Sequence, residues 1–368
     1  MPELNIDFIN QGKAQGNVAN MLANNGKLDI GRMRPYVGRD GRTYETVWNG
    51  GNPKLPTSYS VRPIQANATL RRDEWKTLDD AILDVSRFRL GGIQDLIDKN
   101  LVYNLGNAMG TTVLEWHDLS EGMEANMTMD GITRGTGDRI KYQYNYLPIP
   151  IIHVDYEINA RVLAASRNMS NPIDTTDAER AARRIMEKLE ALLFTNVTYS
   201  FGEKDSRTNN TIYSYVNHPD RNLIAIGTNW DALPAAGLGL AILSQVLSMK
   251  QASINKYHYG PWMLYIPTAY ETVIDKDYDT VTPQTSIRER ILKISNIQGI
   301  KTIDTLPANN VLLVQMTSDN VRLVRGLGLQ NIEWAEEGKM VTKYKVITIQ
   351  VPQVRSDQNK RLGIVHLC

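Results

Sequence analysis

Residues 142–194 read YQYNYLPIPIIHVDYEINARVLAASRNMSNPIDTTDAERAARRIMEKLEALLF, and the reading of this stretch decides the fold. Tyr142, Tyr144 and Tyr146 alternate, which is the period of a strand whose successive side chains point to opposite faces. Leu147-Pro148-Ile149-Pro150 punctuates that strand, and a second apolar strand runs from about Ile151 to Ile158. Asn171-Pro172-Ile173-Asp174 then stops the chain. From about Thr176 to Thr195 the pattern turns helical: Ala178, Ala182, Ile185, Leu189 and Leu192/Leu193 share one stripe. Glu179, Arg183 and Glu187 alternate in sign at four-residue steps on another face. Thr176 with Glu179 has capping-box spacing, and Asp174 and Asp177 suit the positive end of a helix.

Upstream, residues 111–117 have strand character and 118–139 are polar and glycine-rich, with Met123, Met127 and Met129 among them. With the tyrosine strand they predict a long hairpin over 111–147 whose far end has little to bury it locally. Leu78, Ala81, Ile82, Val85 and Phe88 predict a helix beginning at Arg72. Gly91-Gly92 breaks it, and Ile93, Leu96 and Ile97 mark a short second helix. Residues 1–72 carry Gly and Pro throughout, and no period lasts. Phe8, Leu22, Tyr36, Trp48, Leu55 and Tyr59 nevertheless give that segment more apolar anchors than a solvated tail would have, so it reads as an arm that orders on another surface. Ten Lys/Arg against five Asp/Glu give it a charge of +5.

Downstream, residues 217–334 read as a compact α/β region. Helices are expected around Trp230–Leu247, after Pro267 and behind a Ser286/Glu289 cap. Strands are expected at Trp262–Ile266, Gly299–Asp304, Val311–Met316 and Val321–Arg325. Ile332–Trp334, Val341–Val354 and Leu362–Leu367 are expected to be further strands. The long Val341–Val354 run exceeds what that region needs and is expected to cross back toward the hairpin and the long helix.

Composition narrows the function. A net charge of +1 over 368 residues excludes a strongly basic nucleic-acid binder. One cysteine, Cys368, excludes an internal disulfide framework and a thiolate metal cage. Met1-Pro2-Glu3 does not open a basic-then-apolar leader, and the most apolar run, Ala232–Met249, is interrupted by Pro234, Gly237 and Gly239. None of the five histidines has metal-ligand spacing to another. His153 and Asp155 share a strand face, which is more often solvated than functional. Gly135-Thr136-Gly137 lacks the Lys-Ser/Thr of a phosphate loop, and Gly237-Leu238-Gly239 lacks a third glycine, so both read as turns. The basic pairs near Arg32, Arg71 and Arg183 lack interleaved aromatics. No catalytic, metal or cofactor site is expected.

The order of elements resembles the major capsid proteins of tailed bacteriophages, the Hong Kong phage capsid fold, and the related encapsulins. Three segments carry the resemblance: Leu147–Arg161 running into Asp174–Arg184; Pro261-Trp262-Met263-Leu264-Tyr265-Ile266-Pro267-Thr268-Ala269-Tyr270; and Gly299–Asp304, Asn310–Met316 and Val321–Gly326. The resemblance implies an α+β fold with an N-terminal arm (1–72), N-terminal helices (73–110) and an extended β-hairpin loop (111–147). A peripheral domain (148–216) with a spine helix, an axial domain (217–334) and return strands of the peripheral domain (335–368) complete it. It implies a non-enzymatic subunit that self-assembles as hexamers and pentamers into an icosahedral shell around packaged double-stranded DNA, in a virion assembled in the host cytoplasm. An encapsulin-like compartment holding a cargo protein is the alternative, and an enzyme built on the α/β region is a third reading.

Expected partners are other copies of the chain, met through arm and loop, and DNA held nonspecifically. Scaffolding, portal and decoration proteins can be separate, and no membrane is expected. The interface candidates are Arg134, Arg139, Lys141, Tyr144, Glu179, Arg183, Glu187, Trp48 and Tyr59. Some members of the resembled family crosslink a loop lysine to an asparagine. Lys141, the only lysine between Lys99 and Lys188, lies at the loop's base, so no crosslink is expected.

Overall fold

The computed structural model describes residues 35–48, 59–63, 70–89, 91–106, 108–119, 127, 129, 142–168, 175–200, 211–278, 285–334 and 340–368. Strands β1 (Tyr36–Val37), β2 (Thr43–Trp48) and β3 (Tyr59–Pro63) form an antiparallel sheet in that order. Helices α1 (Arg72–Arg89) and α2 (Gly91–Asp98) precede β4 (Val102–Asn104), β5 (Val113–Leu119) and β6 (Tyr142–Pro148). Next come β7 (Ile152–Asn159), α3 (Ala160–Asn168), the long helix α4 (Thr176–Phe194), β8 (Tyr199–Ser200) and β9 (Thr211–Ile212). The α/β region holds β10 (Asn222–Ile224), α5 (Leu238–Ile254), β11 (Trp262–Pro267), a 3-10 turn (Thr268–Tyr270) and α6 (Glu271–Ile274). It continues through α7 (Ile287–Leu292), β12 (Ile297–Ile303) and β13 (Val311–Gln315). The chain closes with β14 (Val321–Trp334), β15 (Val341–Val354) and β16 (Ile364–Leu367).

Two sheets organise the molecule. The five-stranded sheet has the order β10-β16-β13-β11-β12, parallel at both flanks and antiparallel through β13. Its central strands β16, β13 and β11 are buried at every position because both faces are covered. On β11, Trp262, Leu264 and Ile266 face a core shared with α5, α6 and α7, while Met263 and Tyr265 face the core shared with α4. On β13, Val311 and Leu313 divide from Leu312 and Val314 in the same way. This period of two welds the two cores into one body. The Ser286 cap forms as expected, its hydroxyl oxygen accepting the Glu289 amide at 3.2 Å.

The four-stranded sheet has the order β4-β14-β15-β7. β15 pairs with β7 from Thr348↔Ile152 to Val341↔Asn159, so the long late strand does return to the hairpin's exit strand. Helix α4 lies on β7 and β15 and packs against α1 and α2. Its stripe of Ala178, Ala182, Ile185, Leu189 and Leu193 is buried. Burying each large side chain of that kind contributes about 1.5–3 kcal/mol. A third, smaller core joins Leu147 and Ile149, below the hairpin, to Val324, Ile349 and Val351.

Four sequence expectations need correction. Segment 1–72 does hold a lasting period: in the six-residue strand Thr43–Trp48 every residue but Glu45 is β-branched or aromatic, which the surrounding Gly and Pro conceal. The helix α4 begins one residue earlier than its capping-box spacing implies, because Thr175 is the N-cap residue. Its hydroxyl donates to Glu179 Oε1 at 2.7 Å and does not cap the helix amides. Val321–Arg325 and Ile332–Trp334 are one strand, with two register irregularities absorbing the glycines between them, and it pairs with β15 in the four-stranded sheet. Ile364–Leu367 lies inside the five-stranded sheet, between β10 and β13, away from β15. Its four buried residues are the signature of a central strand.

Candidate assembly interface

The hairpin stands apart from both large sheets. Among the described residues β5 and β6 pair only with each other, from Val113↔Pro148 to Leu119↔Tyr142. Its base is tied down: the Ile149 amide donates to Thr112 O at 2.8 Å, and Leu114 and Trp116 lean on the third core. Farther out, Tyr144 is 55% exposed and meets His117 edge-on at 4.5 Å between ring centroids. A two-stranded ribbon is marginal in water on its own, so the described part of this one relies on the packing at its base.

The first sheet is anchored at one end. Trp75 Nε1 donates to Pro35 O at 3.1 Å, and the Val37 amide donates to Leu70 O at 3.0 Å. Val47 is buried, but Val61 on the outer strand is 55% exposed and Tyr59 39%. Trp48 pairs across the strands with Tyr59. Between this sheet and the start of α1 lies a cleft of about 1410 Å³, lined by Tyr36, Arg39, Arg71, Trp75, Lys76 and Asp79 among others.

On α4 the outward face is charged. Arg184 pairs with Glu187 at 3.0 Å, and Glu179 is engaged by Thr175. The four-residue ladder read from the sequence is therefore not formed, and Arg183 is exposed with no ion pair among the described residues. An exposed pair of this kind contributes about 0–1 kcal/mol to a lone subunit. Of the remaining candidates, Arg134, Arg139 and Lys141 lie outside the described residues. The structure does not bring the six described candidates together: they fall on the first sheet, the hairpin and α4.

Two of the histidines, His218 and His366, are buried within the fold. His218 and His366 are both pushed down to about 4, mainly by burial. His366 Nδ1 accepts from Arg221 Nε at 3.2 Å while its Nε2 contacts Asn310 Oδ1 at 2.5 Å, so a second ring proton would face a donor. His153 and Asp155 lie 3.5 Å apart, both half exposed, on the outer edge of β7. Among the described residues no group of three or more His, Cys, Asp or Glu is placed to hold a metal ion. No described helix is long and apolar enough to cross a membrane.

Residues 65–367 match a family described as one of unknown function, DUF6260. The chain belongs to DUF6260. No curated protein matches its sequence. Among solved structures, this DUF6260 chain is similar to the virus-like particle from Pyrococcus furiosus, with a TM-score of 0.55 and 16% identity over 80% of this chain and 99% of that one. It is similar to the capsid of Myoviridae phage XM1, with a TM-score of 0.55 and 12% identity over 75% of this chain and 91% of that one. A third likeness is to the capsid of the native GTA particle, with a TM-score of 0.50 and 12% identity over 76% and 90% of the two chains. The DUF6260 chain therefore has the Hong Kong phage capsid fold, as the order of its elements implied.

One group escaped the sequence reading. Glu190 follows Leu189 on α4 and is 5% exposed, although glutamates are seldom buried unless paired. The Gly91-Gly92 pair opening α2 is the signal that could have pointed to it, since paired glycines at a helix start mark a close approach of another element. A Cβ on Gly92 would lie 2.3 Å from Phe194, and one on Gly91 3.4 Å from Glu190 Oε1.

Proposed function

We propose that this chain is the major capsid protein of a tailed virus. It self-assembles as hexamers and pentamers into an icosahedral shell that encloses double-stranded DNA, and it acts as building material, with no catalytic role. The observation that carries the reading is the shell-protein fold, spanning 91% of the phage XM1 capsid chain, in a molecule whose hairpin strands β5 and β6 form, among the described residues, a two-stranded sheet of their own. In this reading residues 1–72 are an arm and 111–147 an extended loop laid over the next subunit. The α4 region is the spine of a peripheral domain. The α/β region gathers its tips around the symmetry axes, where exposed Leu240 and Leu247 on one side of α5 would meet a neighbour. Arm and loop contacts of an obligate kind bury on the order of 2,000–5,000 Å², which offsets the exposure of a lone subunit by mass action. The shell sits in the virion and is assembled in the host cytoplasm, and any scaffolding, portal or decoration protein is a separate chain.

The second reading is a protein compartment that holds a cargo protein. It is favoured by the likeness that covers 99% of the Pyrococcus furiosus particle chain. Negative-stain imaging and sizing of the expressed full-length chain test both readings. Closed particles of uniform size are expected, and particles purified from the source are expected to hold nucleic acid. A monodisperse monomer at high concentration would defeat both. Particles containing a co-purifying protein and no nucleic acid would favour the second.

A further inference from the structure

Three elements converge on one buried carboxylate. Glu190, on the last turns of α4, accepts the amide of Gly92 at 2.9 Å and also that of Ile93, so it stands at the N-terminus of α2 as a cap supplied by another helix. From the elements packed around this end of α4, four titratable groups face it: Asp95 on α2, Tyr265 on β11, Lys301 on β12 and Tyr215. Lys301 is the cation in the seam, and it is committed elsewhere: its ammonium lies 2.6 Å from Asp95 Oδ1. The Tyr265 hydroxyl donates to Asp95 Oδ2 at 2.9 Å. Phe194, Tyr215 and Tyr265 close the site with edge-on rings at 5.0 and 5.5 Å.

Two buried atoms here have no partner, Glu190 Oε2 and Tyr215 Oη. An ionised Oε2 would be a buried, unpaired share of a negative charge, among the costliest arrangements in a protein. A protonated Oε2 is a neutral donor. Asp95 with Lys301 then balances, and the seam carries no net charge.

We propose that Glu190 is a proton-gated latch in the seam between α4, α2 and the five-stranded sheet. Protonated, it closes the seam. Deprotonated, it places an uncompensated charge there, and α2 and the sheet part from α4 more readily. Burial is the main reason the carboxyl is pushed up to about 7. Asp95 pushes the same way, and the two α2 amides and Lys301 oppose them. The sign follows. Between about 4.5 and about 7 the folded chain holds a proton that the unfolded chain has released, so this group's contribution to stability falls as pH rises through that window. The latch is internal to one chain and holds whether or not the chain forms a shell.

The test compares the full-length chain with Glu190→Gln, which keeps an acceptor for Gly92 and cannot ionise. The stability of the variant relative to wild type should grow between pH 5 and 8, by a factor of about 70 in the folding equilibrium. At pH 8 the α2 amides of wild type should exchange hydrogen faster than those of the variant at the same pH. A difference that stays constant with pH would overturn the proposal. Should Glu190→Gln fail to fold, carbon-13 titration of the wild-type glutamate carboxyls decides. One should titrate near neutrality, and at lower pH in Asp95→Asn, where Lys301 is released to Glu190. All glutamates titrating in the ordinary range would equally overturn it.

Discussion

Replacing Gly92 by alanine tests how tightly α4 and α2 are joined, and the structure sets the size of the effect. A Cβ at this position would sit 2.3 Å from Phe194 Cε2 and 2.6 Å from Cζ, with Leu193 at 3.3 Å. Carbon atoms need about 3.5–4.0 Å, so the ring must retreat by more than 1 Å. It has nowhere to go: Phe194 is fully buried and held edge-on by Tyr215 and Tyr265. Overpacking of this kind costs about 1–3 kcal/mol. Alanine's better helix propensity returns at most about 1 kcal/mol, and less in a first turn. Gly106→Ala is the control, because nothing lies within 4 Å of its Cβ. That change should be neutral or stabilise by about 0.4–1 kcal/mol through the unfolded state. Urea unfolding of dissociated full-length subunits measures both. Gly92→Ala should be less stable than Gly106→Ala by about 1–3 kcal/mol, with an unchanged slope on denaturant. Equal stability of the two variants would refute the close approach and, with it, the account of why glycines open α2.

Other consequences can be checked directly. His218 and His366 stay neutral in the folded chain down to about 4, while the unfolded chain protonates them near 6.5. Stability should therefore fall as pH drops from 6.5 toward 4, by about 3 kcal/mol for each at 1.36 kcal/mol per pH unit. Glu190→Gln is the right background for that measurement because Glu190 slopes the other way over much of the range, and folded-state imidazole titrations near 6.5 would contradict it. Exchanging charges with Arg183→Glu and Glu187→Lys should leave circular dichroism unchanged and disturb particle formation, and intact shells from that double variant would remove α4's outer face from the assembly interface. Truncation at residue 50 removes β1, β2 and the Pro35 carbonyl that holds Trp75. It should give soluble subunits or aberrant assemblies by electron microscopy, whereas normal particles would deny the arm its part.

The elements legible in the sequence are those with one dominant period. The stripe of α4, the alternation of β7 and β15, and the Ser286 cap are each determined by neighbours in the sequence, and the reading places them within a residue or two. What lay out of reach depends on partners distant in the chain. Ile364–Leu367 has the same apolar composition beside β15 or between β10 and β13, and only the three-dimensional path of the chain chooses. Thr43–Trp48 is masked by glycines that belong to its turns. Of the interface candidates, Tyr144 and Arg183 were legible as exposed, since alternation and the helical period assign faces. The loss of the Glu179–Arg183–Glu187 ladder was not legible, because Thr175 and Arg184 compete for the two acids from positions the four-residue rule leaves out.

Placement of the polar groups divides the molecule into parts that must stay together and parts that remain open. Where α4 meets α2 and the five-stranded sheet, Phe194, Tyr265 and Leu193 are fully buried, and a single proton sets the balance of charge. A joint of that density moves as a unit or opens as a unit, since packed interiors are not continuously deformable. The hairpin and the first sheet are built the opposite way: each is anchored at one end and presents Tyr144, Tyr59 or Val61 to solvent at the other. Under the proposed function, a subunit placed in both hexamers and pentamers would meet its different surroundings through the exposed ends of those elements and keep the body unchanged. The same distribution makes the latch at Glu190 consequential. It lies in the densely packed seam, so a change of one charge there alters the body itself.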